Sequence, residues 1–187
     1  MGEVLIEMRQ ATPDQVNIVL TILDDVAQWM KAKDVQQWDS PPPQSFVDFV
    51  TEEIPHGDFY LAWLDGVPVG TIRLDWEKSE MWLTDRDAGY VYTLAVHPAQ
   101  QGKRIGERML DWAAQYVYDN GKRWVRLDCV ASNQKLRSYY AGLGFTFLGV
   151  GKNDDDVIEF AMFEKEIGDL EIEDKSDCDS TGECGGS

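Results

Sequence analysis

The densest set of residues able to do chemistry is the run Gln101-Gly102-Lys103-Arg104-Ile105-Gly106-Glu107. A strand pattern over residues 90–96 enters it through His97-Pro98. An amphipathic pattern follows directly, with Ile105, Met109, Leu110, Trp112, Ala113 and Tyr116 as its apolar positions. Free amides at a helix N-terminus, the positive end of the helix dipole and two flanking cations are what a phosphate or pyrophosphate needs. Gly102 and Gly106 let the backbone approach such a group closely. The run is neither the G-x-x-x-x-G-K-[ST] of a P-loop nor the G-x-G-x-x-G of a dinucleotide turn. A solvated basic turn ahead of a helix fits the same residues, so the loop alone leaves both readings open.

Metal chemistry is not expected. Cys129 lies in an apolar stretch and reads as a buried thiol, Cys178 and Cys184 sit in an acidic tail, and His56 and His97 complete the ligand set. No four of these have zinc-site spacing. The charge balance narrows the partners further. The 187 residues carry 34 acids against 17 bases, a net −17, which repels phosphate backbones and anionic lipid and favours cationic partners. From Glu164 onward the chain supplies −7 of that charge, so the fold itself is less acidic than the total implies. No stretch approaches the ~18 apolar residues of a membrane span, and the first ten residues lack a basic-then-apolar leader. The expected compartment is the cytoplasm, with neither nucleic acid nor membrane as partner.

The elements that must position the loop follow from periodicity. Residues 4–8 read as a short strand, 12–30 as a helix with Thr12 as N-cap and Gln15 completing a capping box, and 45–54 as a second helix after three prolines. Residues 58–64 and 67–76 are strands joined by Asp65-Gly66, a strong hairpin signal. A polar link, 77–87, leads to the strand 90–96. The helix behind the loop stops at Asn120-Gly121, and 124–130, 133–143, 145–150 and 157–163 read as strand, helix, strand and strand, with an acidic loop at 153–156. The order β-α-α-β-β-β-α-β-α-β-β argues for an α/β (α+β) sheet covered by helices. Residues 1–167 form one domain in this reading, and 168–187 a disordered acidic tail.

The segment from Leu94 through Gly106 resembles motif A of the GNAT superfamily of acyl-CoA-dependent N-acetyltransferases, whose core is [QR]-x-x-G-x-[GA]. Gln101 and Gly106 match its ends, and Arg104 stands where the middle Gly is usual. A second motif resembles the family's Y-x-x-x-G-F: Tyr140 to Phe145, with Asn133 seven residues before Tyr140. The resemblance spans roughly residues 4–165. It implies a mixed, mostly antiparallel sheet flanked by helices, and acetyl-CoA as cosubstrate.

The resemblance also implies roles. The backbone of Leu94, Ala95 and Val96 would meet the pantetheine arm and the thioester carbonyl, and a backbone amide near Val96 would serve as oxyanion donor. Gln101, Gly102, Lys103, Arg104, Ile105, Gly106 and Glu107 would hold the pyrophosphate. Asn133 would contact the pantetheine or place a water. Tyr140 is the expected general acid, because a phenol stays protonated at pH 7 and can donate to a thiolate; Tyr139 beside it competes for the role. Asp128 is a candidate base, with Asp75, Asp87 or a water chain as substitutes, and with pairing to Arg126, Arg137 or a backbone amide as its structural alternative. The acceptor is expected to be a small-molecule or peptide amine, bordered by Trp29, Trp38, Asp39 and Phe46, where aromatics among acids suit a cation; the same rings also fit a core. A homodimer stays open, as does a catalytically silent acyl-CoA-binding or sensor module of the same fold.

Overall fold

The computed structural model describes residues 5–35, 37–152 and 158–168. Its elements are β1 (Glu7–Gln10), α1 (Val16–Lys31), α2 (Gln44–Glu53), β2 (Phe59–Leu64), β3 (Val67–Asp75), β4 (Ala88–Val96), α3 (Ile105–Asp119), β5 (Trp124–Val130), α4 (Gln134–Gly142), β6 (Thr146–Gly151) and β7 (Phe160–Glu166). The strands form one sheet in the order β1-β2-β3-β4-β5-β7-β6. Every neighbouring pair is antiparallel except β4 with β5. This is the helix-covered α/β sheet that the element order implied, with the mixed, mostly antiparallel pairing that the resemblance implied.

Sequence chemistry accounts for the local choices. The Gln15 side chain accepts from the Thr12 amide at 3.1 Å, closing the capping box over a one-turn 3-10 helix, Pro13–Gln15, that precedes α1. Asp65 and Gly66 both take positive φ, 51° and 77°, as a two-residue hairpin turn demands. Two strands differ most from expectation. β1 starts at Glu7 because its register is set by pairing with β2, Glu7 opposite Trp63 through Gln10 opposite Tyr60, and not by its apolar content. β7 runs on to Glu166 because Glu164 is buried against Arg126, so a charged residue continues a strand that an apolar pattern would end. Val4, the 153–156 loop, Val157, Cys178, Cys184 and residues 169–187 lie outside the described residues.

Helices cover both faces of the sheet. On one face α3 and α4 bury Ile105, Met109, Leu110, Ala113, Val117 and Tyr140 against Ile72, Val91, Leu127 and Phe163. Truncating a fully buried residue such as Met109 to Ala costs about 2–5 kcal/mol. α3 lies unusually close to β4 because residue 89 is Gly: a Cβ there would fall 2.4 Å from Val117 Cγ2. On the other face α1 and α2 pack Val19, Ile22, Leu23, Val26 and Val50 against Phe59, Leu61 and Ala95. The 77–87 connection adds Met81 and Trp82 beneath Tyr90 on that same side. Among the described residues no helix is long and apolar enough to cross a membrane.

Candidate active site

β4 and β5 part company halfway along. They pair only from Ala88 opposite Trp124 to Val91 opposite Leu127, whereas β5 goes on pairing with β7 as far as Val130. The cause is a β-bulge. Between the pairs Arg73–Tyr92 and Thr71–Ala95, β3 has one residue and β4 has two, Thr93 and Leu94, and Thr93 takes a φ of 53°. The extra residue resets the alternation, so Leu94 and Val96 pack towards α3 while Ala95 enters the α1–α2 core. A wedge opens between Tyr92–Val96 and 128–130. Its β4 wall is the backbone of Leu94, Ala95 and Val96, whose polar groups on that side have left the β4–β5 ladder.

The loop leading to α3 lies at the end of that wall. A single 3-10 turn, Pro98–Gln100, feeds Gln101 and Gly102, where φ is 79° and no atom lies within 4 Å of a Cβ position. Arg104 is the N-cap of α3 in the left-handed conformation, φ 57°, the geometry glycine adopts at least cost. Both bases are engaged by neighbours. Lys103 Nζ donates to Gln100 Oε1 at 2.7 Å, and the Arg104 guanidinium grips Glu107, which holds that carboxyl below its usual range. The first-turn amides of α3, from Ile105 and Gly106 onward, supply the positive helix end. Gly106 marks where three elements meet: a Cβ there would sit 3.1 Å from the Tyr139 hydroxyl oxygen and 3.7 Å from Val96 Cγ2.

The two adjacent tyrosines go to different places. Tyr140 is 4% exposed and packs on Phe145 and Phe163 with ring centres 6.0 and 5.8 Å away. Burial, reinforced by the fields of Cys129 and Asp128 on β5, pushes its hydroxyl pKa well above 10. Tyr139 points to the first turn of α3, and burial together with Glu107 and Asp111 pushes it up to about 12. Asn133 is the N-cap of α4, its Oδ1 accepting from the Leu136 amide at 3.1 Å. Asp128, half-buried opposite Met162, shares the β5 face of Arg126. Arg126 gives its guanidinium to Glu164, at 3.0 and 3.1 Å, and to Thr84, while Arg137 lies 4.7 Å from the centre of the Phe147 ring. A cavity of about 370 Å³ opens at the end of β5, lined by Val130, Ala131, Ser132, Lys152, Ile158 and Glu159.

Some expected residues stand elsewhere. Asp87 precedes β4 at the end remote from the wedge and pairs with Lys122 at 2.8 Å, which removes it as a substitute base. Trp29, Trp38 and Phe46 pack on the α1–α2 core, and the cation over Trp29 is the chain's own Lys33, 4.1 Å from the ring centre. An acid-rich group beside β3 and β4 was not anticipated. Arg73 lies between the rings of Phe49 and Tyr92 and bonds Glu53 and Asp75 at 3.1 and 2.6 Å. Burial and the fields of Asp75 and Glu53 raise the Asp58 pKa, and burial raises Tyr92, assisted by Asp128 and Asp75. The signal for this group was the period-two placement of Arg73, Asp75, Tyr90 and Tyr92 on one sheet face.

Known proteins share this fold. The N-acetyltransferase YesJ of Bacillus subtilis (strain 168), itself uncharacterized, is 26% identical over 164 residues, covering 84% of this chain and 88% of YesJ. An acetyltransferase of the GNAT family from Listeria monocytogenes 4b F2365 superposes with a TM-score of 0.68 at 24% identity, over 86% of this chain and 94% of that one. The YncA structure from Salmonella typhimurium, solved with its cofactor acetyl-CoA, gives a TM-score of 0.62 at 16% identity, over 91% and 99%. The family model for the acetyltransferase (GNAT) family matches residues 23–145, a span that runs from α1 through the wedge and the α3 loop to Phe145, and the chain belongs to that family.

Proposed function

We propose that the protein moves an acetyl group from acetyl-CoA to a primary amine by direct attack. The observation that carries this reading is the wedge between β4 and β5, ending on the N-terminus of α3. The residues present fit such a cosubstrate. The wall at Leu94, Ala95 and Val96 offers backbone groups outside the β4–β5 ladder to an amide-bearing arm, and the space over Gly102 and the first-turn amides of α3 suit a pyrophosphate. The acetyl-CoA bound in YncA is consistent with that fit.

Position supports the following roles. The amides of Gly102, Lys103, Ile105 and Gly106 hold the diphosphate, with the side chains of Gln101, Lys103 and Arg104 flanking it and Glu107 holding Arg104 in place. An amide near Val96 stabilises negative charge on the thioester oxygen. Tyr140, kept protonated by its burial, gives its proton to the departing sulfur as the carbon–sulfur bond breaks and the carbon–nitrogen bond forms. Asp128 takes the proton that the amine must lose. Asn133, already committed to capping α4, positions the arm with the rest of its amide. The acceptor is cationic: the acids gathered around Arg73 beside the wedge concentrate negative potential on the α1–α2 face.

Calorimetric titration with acetyl-CoA, followed by thiol-release assays on a panel of amines, tests the reading. Binding with turnover on cationic amines is the expected result. Binding without turnover on any amine would return the chain to a silent sensor module, which the deep burial of Tyr140 favours. No binding at millimolar ligand would remove both.

A further inference from the structure

We propose that His97 is a positioning residue for the α3 loop, and that Asp25 on α1 sets the ring tautomer through which it acts. The inference rests on the reading of that loop as the anchor for acetyl-CoA. His97 stands where β4 ends, and its backbone is tied on both sides: its amide donates to the Val69 carbonyl at 2.8 Å, and its carbonyl accepts from the Gln100 amide at 2.9 Å. Its ring adds a third tie. Nδ1 accepts from the Ala99 amide at 3.2 Å and so caps the Pro98–Gln100 turn. Nε2 lies 3.3 Å from Asp25 Oδ2.

Tautomer chemistry links the two contacts. Only an unprotonated Nδ1 can accept, and a neutral ring that accepts there carries its proton on Nε2, the nitrogen facing the carboxylate. Asp25 therefore favours the tautomer that the turn requires. The turn in turn fixes the loop, because Gln101 and Gly102 follow it directly and Lys103 Nζ returns to Gln100 Oε1 at 2.7 Å. Through this pair, α1 on one face of the sheet steadies the loop at the head of α3 on the other. Both side chains are about 40% exposed, at 38% and 41%, so the effect is several-fold and not orders of magnitude.

The test is steady-state kinetics with calorimetric CoA binding on the full chain. The proteins compared are wild type, His97→Ala, His97→Asn, Asp25→Ala and Asp25→Ala in the His97→Asn background. An asparagine Oδ1 can accept from the Ala99 amide without depending on any tautomer. His97→Ala is expected to raise the acetyl-CoA KM and the CoA Kd about three- to tenfold, the range of a lost side-chain cap, with kcat within about twofold. His97→Asn is expected to restore both, and Asp25→Ala to weaken binding alone but not in the His97→Asn background. CoA binding by His97→Ala as tight as wild type overturns the inference, as does a fall in kcat at unchanged KM. An Asp25→Ala loss that persists with His97→Asn shows that Asp25 does not act through the ring, and overturns it too. Wild type that fails to bind CoA overturns the acetyl-CoA reading first, and this inference with it.

Discussion

Arg104 and Glu107 close on each other across the first turn of α3: Nε donates to Oε2 at 2.6 Å and a second guanidinium nitrogen donates to Oε1. The same arginine holds a φ of 57°, where the family pattern usually carries glycine. Relief of a left-handed side-chain residue outweighs the loss of a solvent-screened ion pair. Arg104→Gly is therefore expected to raise the melting temperature by about 2 °C and, on the proposed reading in which the amides carry the phosphate, to leave CoA affinity within about threefold. Thermal melts and calorimetry read both. An affinity loss beyond tenfold would mean that the guanidinium leaves Glu107 for the phosphate.

Tyr140→Phe keeps the ring against Phe145 and Phe163 and removes only the hydroxyl. Turnover is expected to fall about a hundredfold or more, with the acetyl-CoA KM within about twofold and little change in melting temperature. Tyr139→Phe, whose hydroxyl lies against Gly106, is expected to leave kcat nearly untouched. Matching losses of turnover and binding in Tyr140→Phe would make Tyr140 a packing residue.

Asp128→Asn separates a base from a structural carboxylate. As the base, Asp128 gives the wild-type kcat/KM profile its acidic limb, and Asn is expected to flatten that limb while lowering kcat about ten- to a hundredfold. A variant that keeps the limb assigns the proton to another group. Asp75 is the nearer substitute among the acids considered, although its carboxylate already holds Arg73 and the Glu77 amide.

What could be read in the sequence was what is local. The Asp65-Gly66 hairpin, the Thr12–Gln15 cap, the loop before α3 and the seven-residue spacing from Asn133 to Tyr140 are encoded within a few residues, and each is found in place. The opening of the wedge was not legible, because Thr93 carries no bulge signal and its φ is imposed by the pairing of β4 with β3. The acid-rich group around Arg73 draws on α2, β3 and β4, so no window contains it. Trp29 illustrates the converse. Its sequence context suited a ligand cation, and Lys33, four residues on, fills that place.

Arg126 is 1% exposed and Glu164 6%, and their pair ties β5 to β7 while Thr84 hangs the 77–87 connection on the same guanidinium. Removing Arg126 leaves the buried Glu164 carboxylate to the longer, more exposed contact with Arg86 at 3.6 Å. Arg126→Ala is expected to cost about 3–5 kcal/mol in urea denaturation, whereas Arg126→Met combined with Glu164→Leu recovers most of it. A double variant as unstable as the single one would locate the loss in the Thr84 contacts, not in the charge left behind.

Alkaline pH provides a test of the buried face of β5. Burial and the field of Asp128 push the Cys129 thiol up to about 12 from an ordinary value near 9, and the Tyr140, Tyr60 and Tyr92 hydroxyls also move upward, each mainly through burial. All of these groups are neutral when protonated, and the folded chain keeps the proton longer than the unfolded one. Above the unfolded value the unfolded chain binds fewer protons, so unfolding becomes easier as pH rises. For Cys129, which is 1% exposed, the slope is about 1.4 kcal/mol per pH unit between roughly 9 and 12; the tyrosines add to it from about 10. The stability Cys129 contributes is thus complete below pH 9 and lost on the way to 12, and that of the tyrosines is complete below 10 and falls above it. Urea midpoints are expected to hold level from pH 7 to 8.5, decline from 9 and steepen past 10. In Cys129→Ala the decline is expected to begin only near 10. A wild-type midpoint that stays level to pH 10 would show that the thiol keeps its ordinary acidity, and that β5 is not sealed beneath α4 at Cys129.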